Sequence, residues 1–299
     1  MEKITGIFGA PVTPFLNNKI DHETFAKQIN FLIKSGVDAI AYPMHIGESH
    51  SLRESEYKDT IEVFVKTVNN RVPTFVNTSS ASTDYSINLA EFSRQSGSTG
   101  IVLLPPYHWR PSSNEIIEHF VSVSNAHGGK MIAYNNQGAT GITLSIQLCE
   151  ALLKEIPGFV GIKDASFNVE TFSEFCDFSQ GTQIAIYTGI EHLLTSIPIG
   201  GSGTFSACSE VTPRLIRDLY QSCVSLDISK AHQLQMQVRK LLACLMQTYP
   251  ATIKYAMELV GRPVGSTRAP IRSLNISEKE FTKKLLLDLG VFEKEQQGW

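Results

Sequence analysis

Apolar and polar positions alternate at two different periods along this chain, and the two take turns. Short apolar runs bounded by turn residues read as buried strands: Gly6–Phe15 (running into a Pro-rich turn), Val37–Tyr42, Val72–Val76, Gly100–Leu104, Met131–Tyr134, Phe159–Lys163, Gln183–Tyr187 and Gly203–Ser206. Between them lie stretches with one apolar face at helical spacing. The first follows the cap Asp21 with Phe25, Ile29, Leu32 and Ile33 and stops at Gly36. The next follows a capping box at Ser51–Glu54 and runs through Ile61, Phe64 and Val65. Helices are predicted over Thr83–Ser96, Asn114–Asn125 and Ile146–Leu153, from about Val169, over His192–Ile197 and from Thr212-Pro213.

Eight strand–helix units in strict alternation imply a parallel sheet, and at eight units the natural closure is a (β/α)8 TIM barrel over residues 1–225. The competing doubly wound sheet most often carries a dinucleotide or phosphate loop, and neither a GxGxxG nor a GxxxxGK[ST] pattern is present. Residues 226–299 are read as a C-terminal helical extension packed on the barrel or covering a subunit contact. Its helices are expected over Ile228–Met246 and Ala251–Val260, then over Phe281–Leu289 after a capping box at Ser277–Glu280.

Composition narrows the partners. A net charge of −3 with scattered basic residues gives no reason to expect nucleic acid or an anionic membrane. No apolar run approaches the ~18 residues of a membrane span, and the N-terminus lacks the apolar core of a signal peptide. The five cysteines are odd in number and form no CxxC, which fits reduced thiols in a cytoplasmic protein.

The strand at Phe159-Val160-Gly161-Ile162-Lys163 ends in a lysine. An ammonium group there loses hydration, and the usual response is a lowered pKa that leaves free amine near neutrality. Such an amine attacks ketones to form a Schiff base. Taken alone, the lysine fits a side chain that snorkels to solvent better than a reactive amine. In a barrel, chemistry gathers where strands end, which places Lys163, Tyr134, the Met44–Glu48 turn, the Tyr107–Arg110 turn, Gly189 and Phe205 around one mouth. Tyr134 and Lys163 end consecutive strands, ~5 Å apart if paired. A phenol beside an amine can carry protons, although a strand-end tyrosine can also simply plug a barrel.

Gly161-Ile162-Lys163-Asp164-Ala165-Ser166 resembles the Schiff-base segment of the dihydrodipicolinate synthase and N-acetylneuraminate lyase family. The likeness extends to Ala10–Phe15, Gly47-Glu48-Ser49, Pro106-Tyr107, Tyr134-Asn135 and Gly203–Ser206, nearly the whole chain in order. It implies pyruvate or another 2-oxo acid held as an imine on Lys163, Tyr134 as proton carrier, no cofactor and a homo-oligomer, a dimer or a dimer of dimers. Substrate contacts are expected at His45, Ile46, Gly47, His108 and Phe205.

Three departures qualify that expectation. The family's two threonines in Gly-Thr-Thr-Gly-Glu are His45 and Ile46 here, so the turn offers the backbone N–H of Ile46 and Gly47 but no hydroxyl. The family's second tyrosine after Pro-Tyr is His108, so a hydroxyl relay becomes His45, His108 and Tyr134, and imidazole is able to shuttle protons. The arginine that receives the synthase's second substrate is Ala139, with Arg110 either a substitute or a solvated loop residue. The resulting expectation is a lyase of aldolase type, divergent from authentic dihydrodipicolinate synthesis, acting on a substrate with a neutral or polar tail. A 2-oxo-3-deoxy acid dehydratase or hydratase using the same imine, and a non-catalytic 2-oxo acid binding paralogue, are the alternatives. A metal site at His45, Glu48, His50 and His108 is a further one.

Overall fold

A computed structural model of the chain describes residues 3–299. The barrel strands are β1 (Gly6–Gly9), β2 (Ala39–Tyr42), β3 (Thr74–Asn77), β4 (Gly100–Leu103), β5 (Lys130–Asn135), β6 (Phe159–Asp164), β7 (Ala185–Thr188) and β8 (Gly203–Ser206). They are parallel neighbours in chain order and form a closed barrel, as the alternating pattern predicts. Nearly every strand residue is buried on either face, which is why these segments read as continuous apolar runs rather than as alternation.

Two compact units make up the chain. One comprises Pro73–Phe205 with the lead-in up to Gly6. Its core is a layer of Leu103, Ile116, Phe120, Leu148, Phe159 and Phe175 between strands and surrounding helices. The helix Ser113–His127 begins on Ser112, whose hydroxyl accepts from Glu115 N–H while the Glu115 carboxylate accepts from Ser112 N–H, and it stops at Gly128 with φ +70°. Gly161 admits no side chain: a Cβ would stand 2.8 Å from the ring of Tyr187 on the next strand.

The other unit comprises Ile7–Val72 and Ser206–Trp299. After β1 the chain does not pass through a simple Pro-rich turn. Phe15–Leu16 and Lys19–Ile20 pair as a short antiparallel hairpin whose corner, Asn17-Asn18, takes positive φ at both residues, the conformation that a tight hairpin demands. Two helix starts also differ from expectation. The second helix is Glu54–Val68, capped at Arg53 with Glu56 closing back on its N–H at 3.0 Å, while Ser51 ends a single tight turn. The helix near the C-terminus is Ile276–Asp288, capped by Asn275 with Glu278. The remaining C-terminal helices are Ile228–Leu245, Ala251–Leu259 and the short Val291–Lys294. Arg262, fully buried, ties the chain end down by donating to the carbonyls of Gln296 and Gly298.

A buried ion pair fixes the turn that follows β2. Lys254 Nζ lies 2.6 Å from the Glu48 carboxylate, with both side chains almost wholly withdrawn from water. Lys254 also donates to the carbonyls of Thr13 and Ser266, and Glu48 accepts the N–H of Arg268 at 2.9 Å. Burial holds the Lys254 amine below its ordinary pKa, against the attraction of Glu48. Removing one member of such a pair strands the other charge, which costs about 3–5 kcal/mol. Glu48→Gln is therefore expected to destabilise the fold by roughly that amount in denaturant unfolding, and adding Lys254→Met is expected to restore much of it. A single variant within about 0.5 kcal/mol of the parent, the range of ordinary surface changes, contradicts this.

Candidate active site

Register sets the chemistry. In the β5–β6 pairing Tyr134 stands opposite Lys163 and Asn135 opposite Asp164; in the β6–β7 pairing Lys163 stands opposite Tyr187. Side chains at the same level of adjacent strands share a face. The lysine therefore does not reach out to solvent. It is 5% exposed, and its Nζ sits 3.9 Å from the centre of the Tyr134 ring and 4.7 Å from that of Phe205. Tyr187 packs edge-on against Phe205 and turns its hydroxyl to the carbonyl of Ile4.

Burial pulls the Lys163 amine from its usual value down to about 7, and the charge of the fully buried Glu191 pulls weakly the other way. Burial likewise pushes the Tyr134 phenol up to about 12, a rise opposed by a hydrogen bond from Asn136 and assisted by the charge of Asp164. At neutral pH this is a partly deprotonated amine against a protonated phenol, one group fit to attack a carbonyl and the other to give a proton.

Just beyond, Asp164 is clamped. Asn135 Nδ2 donates to it at 2.6 Å and Ser166 donates through both N–H and hydroxyl, while Asn135 Oδ1 accepts from Leu144 N–H. Burial raises the Asp164 pKa against these bonds. The clamp joins the ends of β5 and β6 one residue past the reactive pair, which holds Tyr134 and Lys163 in register. A cavity of about 260 Å³ reaches Asp164 and Thr188 and is otherwise lined by groups such as Phe167, Phe172 and His192. Lys163 is not in its wall, so the amine between its two aromatic rings lies apart from this cleft.

The turn after β2 belongs to the second unit. His45–Gly47 forms one tight helical turn, and Glu48 follows in the left-handed region at φ +53°. Gly47 N–H donates to Met44 O at 2.9 Å, and its carbonyl accepts the Thr13 hydroxyl at 2.5 Å. The expected pair of backbone donors is thus reduced to Ile46. His45 is half-buried with its ring 5.7 Å from that of His50. His108, also at positive φ (+74°), is exposed with its ring edge-on to Trp109. Among the described residues no group of three or more His, Cys, Asp or Glu side chains is arranged to hold a metal ion.

Two contributors escaped the reading of the sequence. Asn136, one residue past the end of β5, donates through Nδ2 to the Tyr134 hydroxyl at 3.0 Å. Glu191 lies in a turn with no pattern to mark it, yet its charge reaches Lys163.

A family model, the dihydrodipicolinate synthetase family, matches residues 3–288. A 4-hydroxy-tetrahydrodipicolinate synthase of Methanocaldococcus jannaschii is 28% identical over 288 residues, which cover 96% of this chain and 99% of that one. One of the same name from Thermodesulfovibrio yellowstonii is 30% identical, with 96% and 98% covered. Among solved structures, a putative dihydrodipicolinate synthetase from Pseudomonas aeruginosa superposes with a TM-score of 0.92 at 29% identity, covering 96% of this chain and all of that one. YagE, a prophage protein of the same family from E. coli K12 solved in complex with pyruvate, superposes with a TM-score of 0.91 at 27% identity, with 96% and 99% covered. With a model match across almost its whole length and a barrel that superposes on these structures, the chain belongs to the dihydrodipicolinate synthetase family.

Proposed function

We propose that this protein is a lyase of aldolase type that makes or breaks a carbon–carbon bond next to a 2-oxo acid such as pyruvate, through a Schiff base on Lys163. The observation that carries the reading is the amine itself: buried at the end of β6, enclosed by Tyr134 and Phe205, and held at a pKa of about 7. The neutral amine adds to the ketone carbon, the carbinolamine loses water, and the resulting iminium draws electrons from the adjacent bond. Tyr134 carries the proton that leaves the substrate hydroxyl in cleavage and returns it in synthesis. Pyruvate bound to YagE supports the choice of a 2-oxo acid by likeness.

Ala139 stands where the synthase pattern carries an arginine, and Asn136 and Gln137 precede it. This favours a partner with a neutral or polar tail over the carboxylate-bearing substrate of a dihydrodipicolinate synthase. Loss of water from a 2-oxo-3-deoxy acid uses the same iminium, and product analysis separates that reaction from C–C cleavage.

Borohydride reduction in the presence of pyruvate is expected to leave one covalent adduct, located by mass spectrometry at Lys163. Lys163→Met is expected to abolish it and also to stabilise the fold. The folded pKa lies below the unfolded value, so the unfolded state holds more protons between about pH 7 and 10, and stability rises with pH across that window. Below it the full cost of burial is present, so the Met variant should gain about 4 kcal/mol near pH 7 and lose that advantage above pH ~10. An undiminished adduct in the variant contradicts the assignment.

The same amine sets the pH profile. Only the neutral form attacks, so kcat/KM should fall about tenfold per unit below pH ~7. Because Lys163 accounts for this limb, it is expected to persist in the double variant His45→Thr with His108→Tyr. Its disappearance there assigns the limb to a histidine relay instead.

A further inference from the structure

We propose that Asn136 is the positioning residue of Tyr134: its side-chain amide donates to the phenol oxygen and holds the tyrosine ready to pass a proton to and from the lysine-bound adduct. The proposal rests on the reading of Tyr134 as the proton carrier of a Schiff-base lyase.

The hydrogen bonds determine which end of the amide faces the phenol. Asn136 Oδ1 accepts from the backbone N–H of Ala139 at 3.2 Å. A backbone N–H can only donate, so the amide oxygen must lie on that side, and the NH2 end must face Tyr134 Oη, 3.0 Å away. An NH2 group cannot accept, so at this contact the phenol oxygen is the acceptor. Tyr134 therefore keeps its own proton for a different partner.

The backbone holds Asn136 in place as firmly as the side chain does. Its carbonyl accepts from Ala139 N–H at 3.1 Å, from Thr140 N–H at 3.0 Å and from the Thr140 hydroxyl at 3.0 Å. The single turn Gln137–Thr140 then ends at Gly141 with φ +73°. The donor thus comes from a closed loop that springs directly from the end of β5, the strand that carries Tyr134.

The contact favours one protonation state. When Tyr134 gives up its proton the phenolate is left in a buried place, beside the charge of Asp164, and both circumstances oppose it. A neutral donor on the oxygen favours the phenolate over the phenol without adding a charge that would disturb Lys163. A hydrogen bond to a charged group is worth about 1.5–3 kcal/mol, or roughly tenfold to a hundredfold in a step that forms the phenolate.

A purely structural reading also exists, since Asn136 caps the turn. Asn136→Asp separates the two roles. Aspartate caps as well as asparagine does, but when ionised it only accepts, and its charge opposes the phenolate. The experiment measures two steps in each protein with pyruvate as the probe: borohydride trapping at Lys163, and exchange of the pyruvate C3 protons with solvent by NMR. In Asn136→Asp, trapping run to completion should stay within about twofold of the parent, because the added charge slows the attack of the lysine without removing it, while exchange per trapped enzyme near pH 8 should fall about tenfold or more. The ratio of variant to parent exchange should climb as the pH is lowered towards the ordinary carboxylate range near ~4, where the introduced group gains a proton it can donate. Asn136→Ala, lacking both cap and donor, should show the exchange defect without that pH dependence.

Exchange in Asn136→Asp equal to that of the parent, or a ratio flat with pH, overturns the inference and leaves the Schiff-base reading intact. A parent protein that is not trapped at Lys163, or is trapped without C3 exchange, overturns the reading of Tyr134 as carrier and the inference with it.

Discussion

The desolvation of one amine is the constraint on which the proposed chemistry depends. Two effects act on Lys163 in opposite senses. The faces of Tyr134 and Phe205 attract an ammonium, by about 2 kcal/mol or more each when desolvated. Withdrawal from water repels it, and withdrawal wins: the drop from 10.5 to about 7 is a net preference for the neutral amine on the order of 5 kcal/mol. The barrel supplies that outcome through ordinary packing. A strand buried on both faces carries the lysine, Gly161 lets Tyr187 lie close behind it, and neighbouring strands bring two aromatic rings to its level.

A second buried lysine shows what a different local arrangement does with the same group. Lys254 has a carboxylate at 2.6 Å and two backbone carbonyls, and its charge fastens a turn. Among the described residues Lys163 has no carboxylate within ion-pair distance; Glu191 acts on it only through its field. Pairing makes one lysine a structural tie, and the lack of a close pair leaves the other poised between protonation states. That contrast is physical support for assigning reactivity to Lys163, independent of the family to which the chain belongs.

The barrel was legible in the sequence because each strand is an apolar run with turn residues at both ends, and because consecutive βα units fix neighbours in order. The Tyr134–Lys163 pair was legible for the same reason. Helix starts were less so, and the cause is specific. Near residue 277 two capping patterns overlap, Asn275 with Glu278 and Ser277 with Glu280, and the first prevails. Glu278 is also gripped by Arg272 at 2.6 Å, just as Glu56, which closes on Arg53, is gripped by Arg268 at 2.6 Å. In both helices the acid that closes the cap is the one already paired with an arginine from elsewhere, a choice that local pattern does not contain. Asn136 and Glu191 were hidden for a related reason: each acts through the conformation of a loop, and no periodicity marks a loop residue.

The most direct test of the account is a titration of the Lys163 amine itself, without substrate. Competitive labelling of lysines with an amine-specific reagent across a pH series, with each site followed by mass spectrometry, reports when each amine becomes neutral. The midpoint for Lys163 is expected near pH 7, well below that of the exposed lysines in the same digest, with a return to the ordinary range in the denatured protein. A midpoint near pH 10 in the folded protein, shared with the surface lysines, would contradict it.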